Sequence, residues 1–460
     1  MALNTYSEES AVGRKASEVR RPLSPVERWL WISHQISPMN GFAWVQVRGK
    51  ISPEQLAWAA AAVVAEQPLL RVSICAAADG TDPRYEPAAD PVMPIRIVHA
   101  DAHDEHAAER ELDDIEMVLP ADTSTAPMAR LVDVVRAAGT DAEEHDLILT
   151  MSHTIVDATA RVAMLAQLIR YAAEWDPTID RPHPVVSRDP VPPLGYLLPR
   201  GVRSTGSAMA GMFSEHMASL LARPKPLAPE RHVPPAEKRT RLLLRKLSGD
   251  QLETLLAVCR QKGVTVHAAL STAVARAVGR EIGIEKGKVT IRTPVQVRAE
   301  LSPPLEKSDV GNYMCITSTY TKVDPDADFW AVARQFNKDL KRRLRLRRHL
   351  SSIAIMRRFA PKSLATSGRF VEGIDGRAGG SVLVSNLGRV DFPDRVGDWK
   401  LSAVQFFSTL SVTGQIAICA VTSNGVLHFN VCYIEGQMSA ERAARVTDDT
   451  LAILMAAVGA

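Results

Sequence analysis

Apolar positions recur along the chain with the spacing of helices and of strands, in an order that repeats. Two helical patterns open on the same signature, Ser24-Pro25-x-Glu27 and Ser52-Pro53-x-Gln55. Each is a capping box with proline at the favoured first position of a helix. Residues 42–49 lie between them, and their alternation of apolar and polar side chains predicts a strand. The second half resumes this order, with Ser248 and Gln251 spaced as a third capping box, so we expect two similar α/β halves.

A proline-rich stretch separates the two halves. Prolines recur here at positions 177, 182, 184, 190, 192, 193, 199, 224, 226, 229, 234 and 235. Proline lacks an amide hydrogen and disfavours regular structure, which is typical of a linker. The predicted organisation is a mobile leader over 1–21, a first lobe over 22–180, a linker over 181–238 with a helix near 204–221, and a second lobe over 239–460.

The stretch from 145 to 175 carries the candidate chemistry. An apolar run of buried-strand character, the second arm of a predicted hairpin, ends at His153, and a helical repeat begins after Asp157. Histidine has an unperturbed pKa near neutrality, and on a rigid loop it can act as a general base. Each residue also has a plain structural interpretation, because a lone histidine at a strand end is commonly structural and aspartate is an ordinary helix N-cap.

The segment SHTIVDA, residues 152–158, resembles the HHxxxDG motif of the chloramphenicol acetyltransferase and condensation-domain superfamily. That superfamily includes free-standing condensation enzymes and polyketide-associated alcohol acyltransferases. The resemblance implies that His153 is the catalytic base and that Asp157 is structural, holding the loop through an arginine. Ser152 stands where the motif has its first histidine, and Ala158 stands where it has glycine.

The resemblance also implies a fold and further site residues. The expected fold is α/β, with two acetyltransferase-like lobes of mixed sheets and flanking helices, arranged as a V-shaped pseudo-dimer around an interface tunnel. Arg298 is the best match for the partner of Asp157, since a guanidinium can grip a carboxylate in two places, and Arg292 is its rival. The residues expected to line the tunnel or contact substrate are Ser152, Asn312, Ser385 and Asn386.

Composition and the absence of several motifs argue against other classes of function. Lysine plus arginine number 55 and aspartate plus glutamate 52, so net charge points to no particular partner. The five cysteines are scattered, which suggests neither a metal site nor a disulfide framework and fits a cytoplasmic protein. The sequence carries no signal-peptide pattern and no apolar run of membrane-spanning length. It also lacks a GxSxG elbow, a Walker A loop and a GxGxxG turn after a strand.

One strongly basic run, residues 338–350, stands apart from this balance. Nucleic-acid binding favours aromatic side chains interleaved with the charge, and this run has none. Its leucines at 340, 344 and 350 predict one amphipathic helix with a solvated basic face. Such a face could meet an acidic carrier protein or the phosphates of coenzyme A.

The sequence therefore predicts an acyltransferase of natural-product or lipid biosynthesis. It would move an acyl group from a thioester of coenzyme A or of an acyl or peptidyl carrier protein to an alcohol or amine, with no metal and no further cofactor. It would act as a monomer. The alternative is an inactive condensation-like module that docks a carrier protein or partner enzyme.

Overall fold

Two mixed β-sheets, each covered by helices, form the framework of the chain. The computed structural model describes residues 18–178, 186–199, 205–378 and 380–459. The helices are α1 (Pro25–Ile36), α2 (Pro53–Glu66), α3 (Ala107–Arg110), α4 (Ala158–Ala173), α5 (Leu194–Leu197), α6 (Thr205–Ala222), α7 (Gly249–Gln261), α8 (Val266–Glu281), α9 (Phe329–Arg345), α10 (Arg348–Phe359), α11 (Gly368–Ala378) and α12 (Ala440–Val458).

The strands alternate with these helices in both halves. They are β1 (Arg21–Pro22), β2 (Asn40–Arg48), β3 (Val72–Cys75), β4 (Arg84–Pro87), β5 (Ile95–His99), β6 (Ala129–Arg136), β7 (Glu144–Ser152), β8 (Thr240–Leu247), β9 (Gly287–Gln296), β10 (Met314–Val323), β11 (Val382–Arg389), β12 (Arg395–Val396), β13 (Trp399–Leu401), β14 (Gln405–Ser408), β15 (Ile416–Ser423) and β16 (Val426–Ile434). Strands β1, β4 and β3 form a small separate sheet.

The first lobe is built on a sheet with the order β12-β13-β2-β7-β6-β5, in which β14 also pairs with β2. Helices α2 and α4 pack together, and α4 lies against β2. Nearly every residue of β7 is buried, which is why its sequence reads as an apolar run rather than as an alternation. The predicted hairpin of β6 and β7 is present as an antiparallel pair.

The second lobe is built on a sheet with the order β10-β9-β11-β15-β16-β8. Its core contains α8 and α12, which pack against each other. The turn between β15 and β16 is Asn424-Gly425, with φ values of 47° and 73°, as a tight hairpin requires. The two-lobed α/β fold predicted from the sequence is thus confirmed.

The second half of the sequence contributes a segment to the sheet of the first lobe, which the predicted boundaries do not include. Strands β12, β13 and β14 belong to the second half of the sequence, yet they pair within the sheet of the first lobe. The range 239–460 therefore contributes to both lobes. Strand pairing is a property of the folded chain, and the order of segments along the sequence does not determine it.

Three local predictions have different outcomes. All three capping boxes are present, and α6 lies inside the linker where a helix was predicted. Residues 1–17 of the predicted leader lie outside the described residues. Val19 is buried in the core and Arg21 begins β1, so residues inside the predicted leader belong to the folded first lobe. The prediction of a single basic helix over residues 338–350 was wrong. Helix α9 ends at Arg345, and Arg347 has a φ of 53° just before α10 begins.

Candidate active site

His153 lies directly after β7, at the point where the strand turns toward α4. Its amide donates to the Met39 carbonyl at 2.9 Å, which fixes the loop to the start of β2. The side chain is neither fully buried nor exposed, so it lies in the protein interior but keeps contact with solvent. A fixed main chain and an accessible imidazole are what a general base needs.

Asp157 joins the two halves of the chain. It is the N-cap of α4, where Oδ1 accepts from the Ala160 amide at 3.1 Å. Its Oδ2 accepts from Arg298 Nη1 at 2.6 Å and from the Tyr313 amide at 2.9 Å. The side chains of Asp157 and Arg298 are 4% and 2% exposed, so this ion pair is almost free of water.

Arg298 has the surroundings of a structural residue. Besides Asp157, it donates from Nη2 to the Asp309 carbonyl at 2.9 Å and lies 5.0 Å above the ring of Tyr313. Its rival Arg292 lies on β9, in register with Ser318 of β10. The structure therefore brings Arg298 to the carboxylate, as the resemblance implied for the partner of Asp157.

Asn312 contacts His153 from the second half of the chain. Its Nδ2 lies 3.1 Å from His153 Nδ1 and donates to the His153 carbonyl at 3.0 Å. The amide oxygen of Asn312 has no hydrogen-bond partner among the residues the structure describes. This contact ties the orientation of the imidazole to the opposite lobe, although the sequence predicted Asn312 only as a tunnel residue.

The imidazole of His153 is held neutral. Burial and the nearby charge of Arg161 lower its pKa from 6.5 to about 4, while Asp157 and hydrogen bonding to main-chain groups of His153 and Val156 act in the opposite direction. At physiological pH the ring is therefore unprotonated. A neutral imidazole can accept a proton, whereas an imidazolium cannot.

The remaining predicted residues are Ser152, Ser385 and Asn386, and their described contacts serve local structure. Ser152 is fully buried and donates to the Thr154 hydroxyl at 3.1 Å, so it braces the loop. Asn386 accepts from the Gly388 amide at 2.7 Å at an irregularity of β11. Ser385 is partly buried and pairs in register with Cys419. Within the described chain, no hydrogen bond joins Ser385 or Asn386 to His153.

Sequence analysis missed Arg161, which lies on α4 four residues after Asp157. Its side chain is fully buried, because position 161 lies on the same buried face of α4 as Leu165 and Leu168. A charged residue in a buried stripe is the signal that could have revealed it. Burial lowers the pKa of Arg161 to about 10, against the opposing charge of Asp157.

Two surface cavities, of about 590 and 290 Å³, lie away from His153. They are lined by residues of α6, α9 and β10, and the basic side chains in their walls are Arg223, Lys225, Lys288, Lys322, Arg342, Arg343 and Arg348. Neither cavity is lined by a histidine, and the carboxylate in the walls of both is Asp339. Across the described ranges, no group of three or more histidine, cysteine, aspartate or glutamate side chains is placed to hold a metal ion. In the same residues, no helix has both the length and the apolar character needed to cross a bilayer.

Comparisons with known proteins agree with this architecture. Residues 236–440 match the family described as the C-terminus of phthiocerol/phthiodiolone dimycocerosyl transferase. Polyketide synthase associated protein 5 from Mycobacterium tuberculosis superposes with a TM-score of 0.65 at 16% identity, over 97% of this chain and 100% of that one. The chain has the condensation-domain fold. The superfamily resemblance drawn from the motif at 152–158 is thereby confirmed.

Other structures with the condensation-domain fold cover nearly the whole chain. The first condensation domain of the CDA synthetase has a TM-score of 0.67 at 16% identity, covering 96% of this chain and 97% of that one. The trichothecene 15-O-acetyltransferase from Fusarium sporotrichioides has a TM-score of 0.73 at 12% identity, again over 96% and 97%. A comparison of the sequence with curated proteins finds no significant match. At these identities the structures establish the fold and leave the reaction to be argued from the site.

Proposed function

We propose that this protein is an acyltransferase in which His153 is the general base. The observation that carries the proposal is a neutral, partly accessible imidazole at the end of β7, held from the first lobe by Met39 and from the second by Asn312. The matched family is described as a transferase, and one structural neighbour is an O-acetyltransferase, which supports the same class of reaction.

The reaction needs no covalent enzyme intermediate. His153 takes the proton of an acceptor hydroxyl or amine while the acceptor oxygen or nitrogen attacks the carbonyl carbon of an acyl thioester. The tetrahedral oxyanion then collapses and the C–S bond breaks. The leaving thiolate takes back the proton from the imidazolium, so His153 is restored. Holding both substrates beside one fixed base supplies most of the remaining acceleration.

Asn312 positions the ring of His153. Its amide nitrogen donates to the His153 carbonyl at 3.0 Å and lies 3.1 Å from Nδ1, so the contact joins the second lobe to both the main chain and the ring. A base at Nε2 requires a hydrogen on Nδ1, and that hydrogen needs an acceptor. The main-chain groups of His153 and Val156 that hydrogen-bond to the ring can supply this acceptor, which leaves Nε2 to face the substrate.

The proposed donor is a thioester of coenzyme A or of a phosphopantetheinyl carrier protein. Among the structural neighbours are the first condensation domain of the CDA synthetase and the epimerization domain from the third module of tyrocidine synthetase B, and this likeness to domains of synthetases supports a tethered donor. The proposed acceptor is an alcohol or an amine, in natural-product or lipid biosynthesis. No cofactor beyond the donor enters this proposal.

The deciding experiment measures release of free thiol from a panel of acyl thioesters, in the presence of alcohol and amine acceptors. We expect His153→Ala to lose about 10²–10⁴-fold in kcat, the usual contribution of a general base. The matched control is His232→Ala, because His232 is an exposed histidine outside the site. Wild-type turnover by His153→Ala would contradict the assignment.

The same assay separates the proposed enzyme from an inactive docking module. A docking module would release no thiol with any thioester, although it could still bind a carrier protein. Ser152 and Ala158 replace two residues of the motif, but neither is the proposed base. Thiol release that depends on His153 would exclude the docking role.

A further inference from the structure

Arg161 carries a buried positive charge that forms no ion pair within the described residues. The residue is 0% exposed, and its Nε and Nη1 atoms have no hydrogen-bond partner in the described structure. Nη2 makes one long contact, at 3.5 Å, to the hydroxyl of Ser408. Asp157 attracts this charge, but its Oδ2 is bound to Arg298. Fully buried charges in proteins are almost always paired, so the unpartnered N–H groups of this guanidinium are candidate donors to a bound anion.

The surroundings of Arg161 are shaped for the guanidinium. It extends from α4 over β2, where a Cβ atom on Gly41 would lie 1.7 Å from Arg161 Nη1. Only glycine leaves room for the side chain at this position. Gly41 pairs with Ser408 of β14, the segment that the second half of the chain contributes to the first lobe. The guanidinium therefore lies where the two lobes join, close enough to His153 to depress its pKa.

An unpaired cation beside a general base opposes catalysis. Base catalysis must form an imidazolium, and a neighbouring positive charge makes that ion less stable. An anion bound to Arg161 would cancel this charge and would also compensate the buried guanidinium. One bound anion would thus stabilise the buried guanidinium and also make His153 a stronger base.

We propose that Arg161 binds an anionic oxygen group, a carboxylate, sulfate or phosphate, carried by one of the two substrates. Guanidinium groups recognise such oxyanions through several N–H donors at once. That the group belongs to a substrate rests on the proposed acyl transfer, whereas binding of the anion does not. The two parts can therefore be tested separately.

Anion binding is tested with inorganic sulfate as the probe. The thermal unfolding midpoint is measured as sulfate replaces chloride at constant ionic strength, for wild type, Arg161→Met and the control Arg245→Met. Arg245 lies on β8 at the outer edge of the second sheet. Sulfate stabilises all proteins to some extent, so the difference between variants is the readout. We expect a larger rise for wild type and Arg245→Met than for Arg161→Met, and equal rises in all three would overturn the proposal.

Stability without sulfate distinguishes binding from a structural role. Methionine keeps an unbranched apolar stem like that of arginine and removes a buried unpaired charge, so we expect Arg161→Met to melt at or above the wild-type temperature. A clearly lower midpoint would mean that Arg161 supports the fold, and would overturn the proposal. Gly41→Ala is the second variant, because its Cβ displaces the guanidinium and keeps the arginine. It should also lose the additional response to sulfate.

Matched substrate pairs identify which substrate carries the anion. The acceptor pair is 12-hydroxydodecanoate and its methyl ester, with octanoyl-coenzyme A as donor. The donor pair is succinyl- and butanoyl-coenzyme A, with 1-decanol as acceptor. We expect wild type to favour the charged member of one pair by about 10- to 100-fold in kcat/KM, the usual contribution of a hydrogen-bonded charge, and Arg161→Met to lose that preference.

The outcomes are separable. If both pairs react and wild type favours neither charged member, the inference fails while the acyl transfer stands. If no pair reacts but the sulfate response still depends on Arg161, the anion site stands and the proposed acyl transfer fails for these substrates.

Discussion

At the scale of single residues, the site depends on how Arg161, Asp157 and Asn312 act on one imidazole. Burial and Arg161 lower the pKa of His153 to about 4, and Asn312 contacts its Nδ1. A base with a low pKa is unprotonated over the whole physiological range, but it is intrinsically weak. His153 is therefore kept neutral, but it is a weaker base than an unperturbed histidine.

Replacing Asn312 by aspartate should reverse this balance. A carboxylate beside Nδ1 favours the imidazolium, so the pKa of His153 rises. We expect the acid limb of kcat/KM, near pH 4 in wild type, to move toward neutrality in Asn312→Asp, so that activity at pH 5 falls relative to activity at pH 8. The measurement is kcat/KM from pH 4 to 9.

Asn312→Leu is the matched control for this profile. It removes the polar contact without adding a charge, so activity should fall roughly 10-fold or more, as for other lost hydrogen bonds at a site, without the same upward shift of the acid limb. Identical pH profiles for wild type and Asn312→Asp would show that Asn312 does not act on the ring.

At the scale of elements, the site is a strand, a loop and a helix held by the other half of the chain. Asp157 caps α4 and also binds Arg298 and the main chain at Tyr313. These two tasks can be separated by substitution. Asparagine caps helices about as well as aspartate, but it cannot neutralise a buried guanidinium.

We therefore expect Asp157→Asn to destabilise the protein by about 3–5 kcal/mol, the usual effect of breaking a buried ion pair. Asp157→Ala should lose about 1 kcal/mol more, because the cap is also removed. Urea unfolding of the two variants and wild type measures both differences. If Asp157→Asn is as stable as wild type, the ion pair contributes little and the cap alone explains the residue.

The sequence predicted local elements well and their assembly less well. The three capping boxes and the Asn424-Gly425 turn are signals within a few residues, and each gave the correct element. The break at Arg347 was missed because its positive φ contradicts the continuous helical pattern around it. Asn312 was noticed only through the family motif, since no local rule brings it 159 positions back to His153.

The structure also shows that the arginines of the basic run, residues 338–350, have different surroundings. Arg343 donates to Glu215 of α6 at 2.5 and 2.6 Å, so this arginine has a structural partner. Arg342 lines a cavity beside it and is the better test of donor binding. We expect Arg342→Glu to raise the apparent KM for a carrier-bound thioester, because like charges repel an acidic carrier.

The comparison for Arg342→Glu is a donor without a protein partner. An N-acetylcysteamine thioester with the same acyl group should show no change in KM, since it carries no carrier surface. An unchanged KM for the carrier-bound donor would show that the surface around Arg342 does not bind the donor.

At the scale of the whole molecule, the segment that the second half contributes to the first lobe joins the two lobes into one unit. Residues 405–408 pair with β2, and the rings of Phe407 and Phe42 stack with centroids 5.2 Å apart. The same segment is held from the second lobe, where Asn430 Nδ2 donates to the Phe406 carbonyl at 3.4 Å. The core of the first lobe thus contains side chains from both halves of the sequence.

This arrangement predicts that the lobes unfold together. Removing a buried aromatic ring usually costs about 3–5 kcal/mol, so Phe407→Ala should destabilise the first lobe through a residue encoded in the second half. Trp330 is the single tryptophan in the core of the second lobe, and the other six lie in the first half or in β13. In Trp330→Phe, tryptophan fluorescence therefore reports the first lobe, while circular dichroism reports both.

We expect the two signals to coincide in urea for Trp330→Phe, and to shift together to lower urea when Phe407→Ala is added. Coincident transitions are the test of cooperative unfolding. Two separate transitions would mean that the lobes are independent, and the contact of Asn312 with His153 would then survive only while both happened to be folded. Because the candidate base is in one lobe and its orienting amide in the other, a single transition is what allows one stable site to exist.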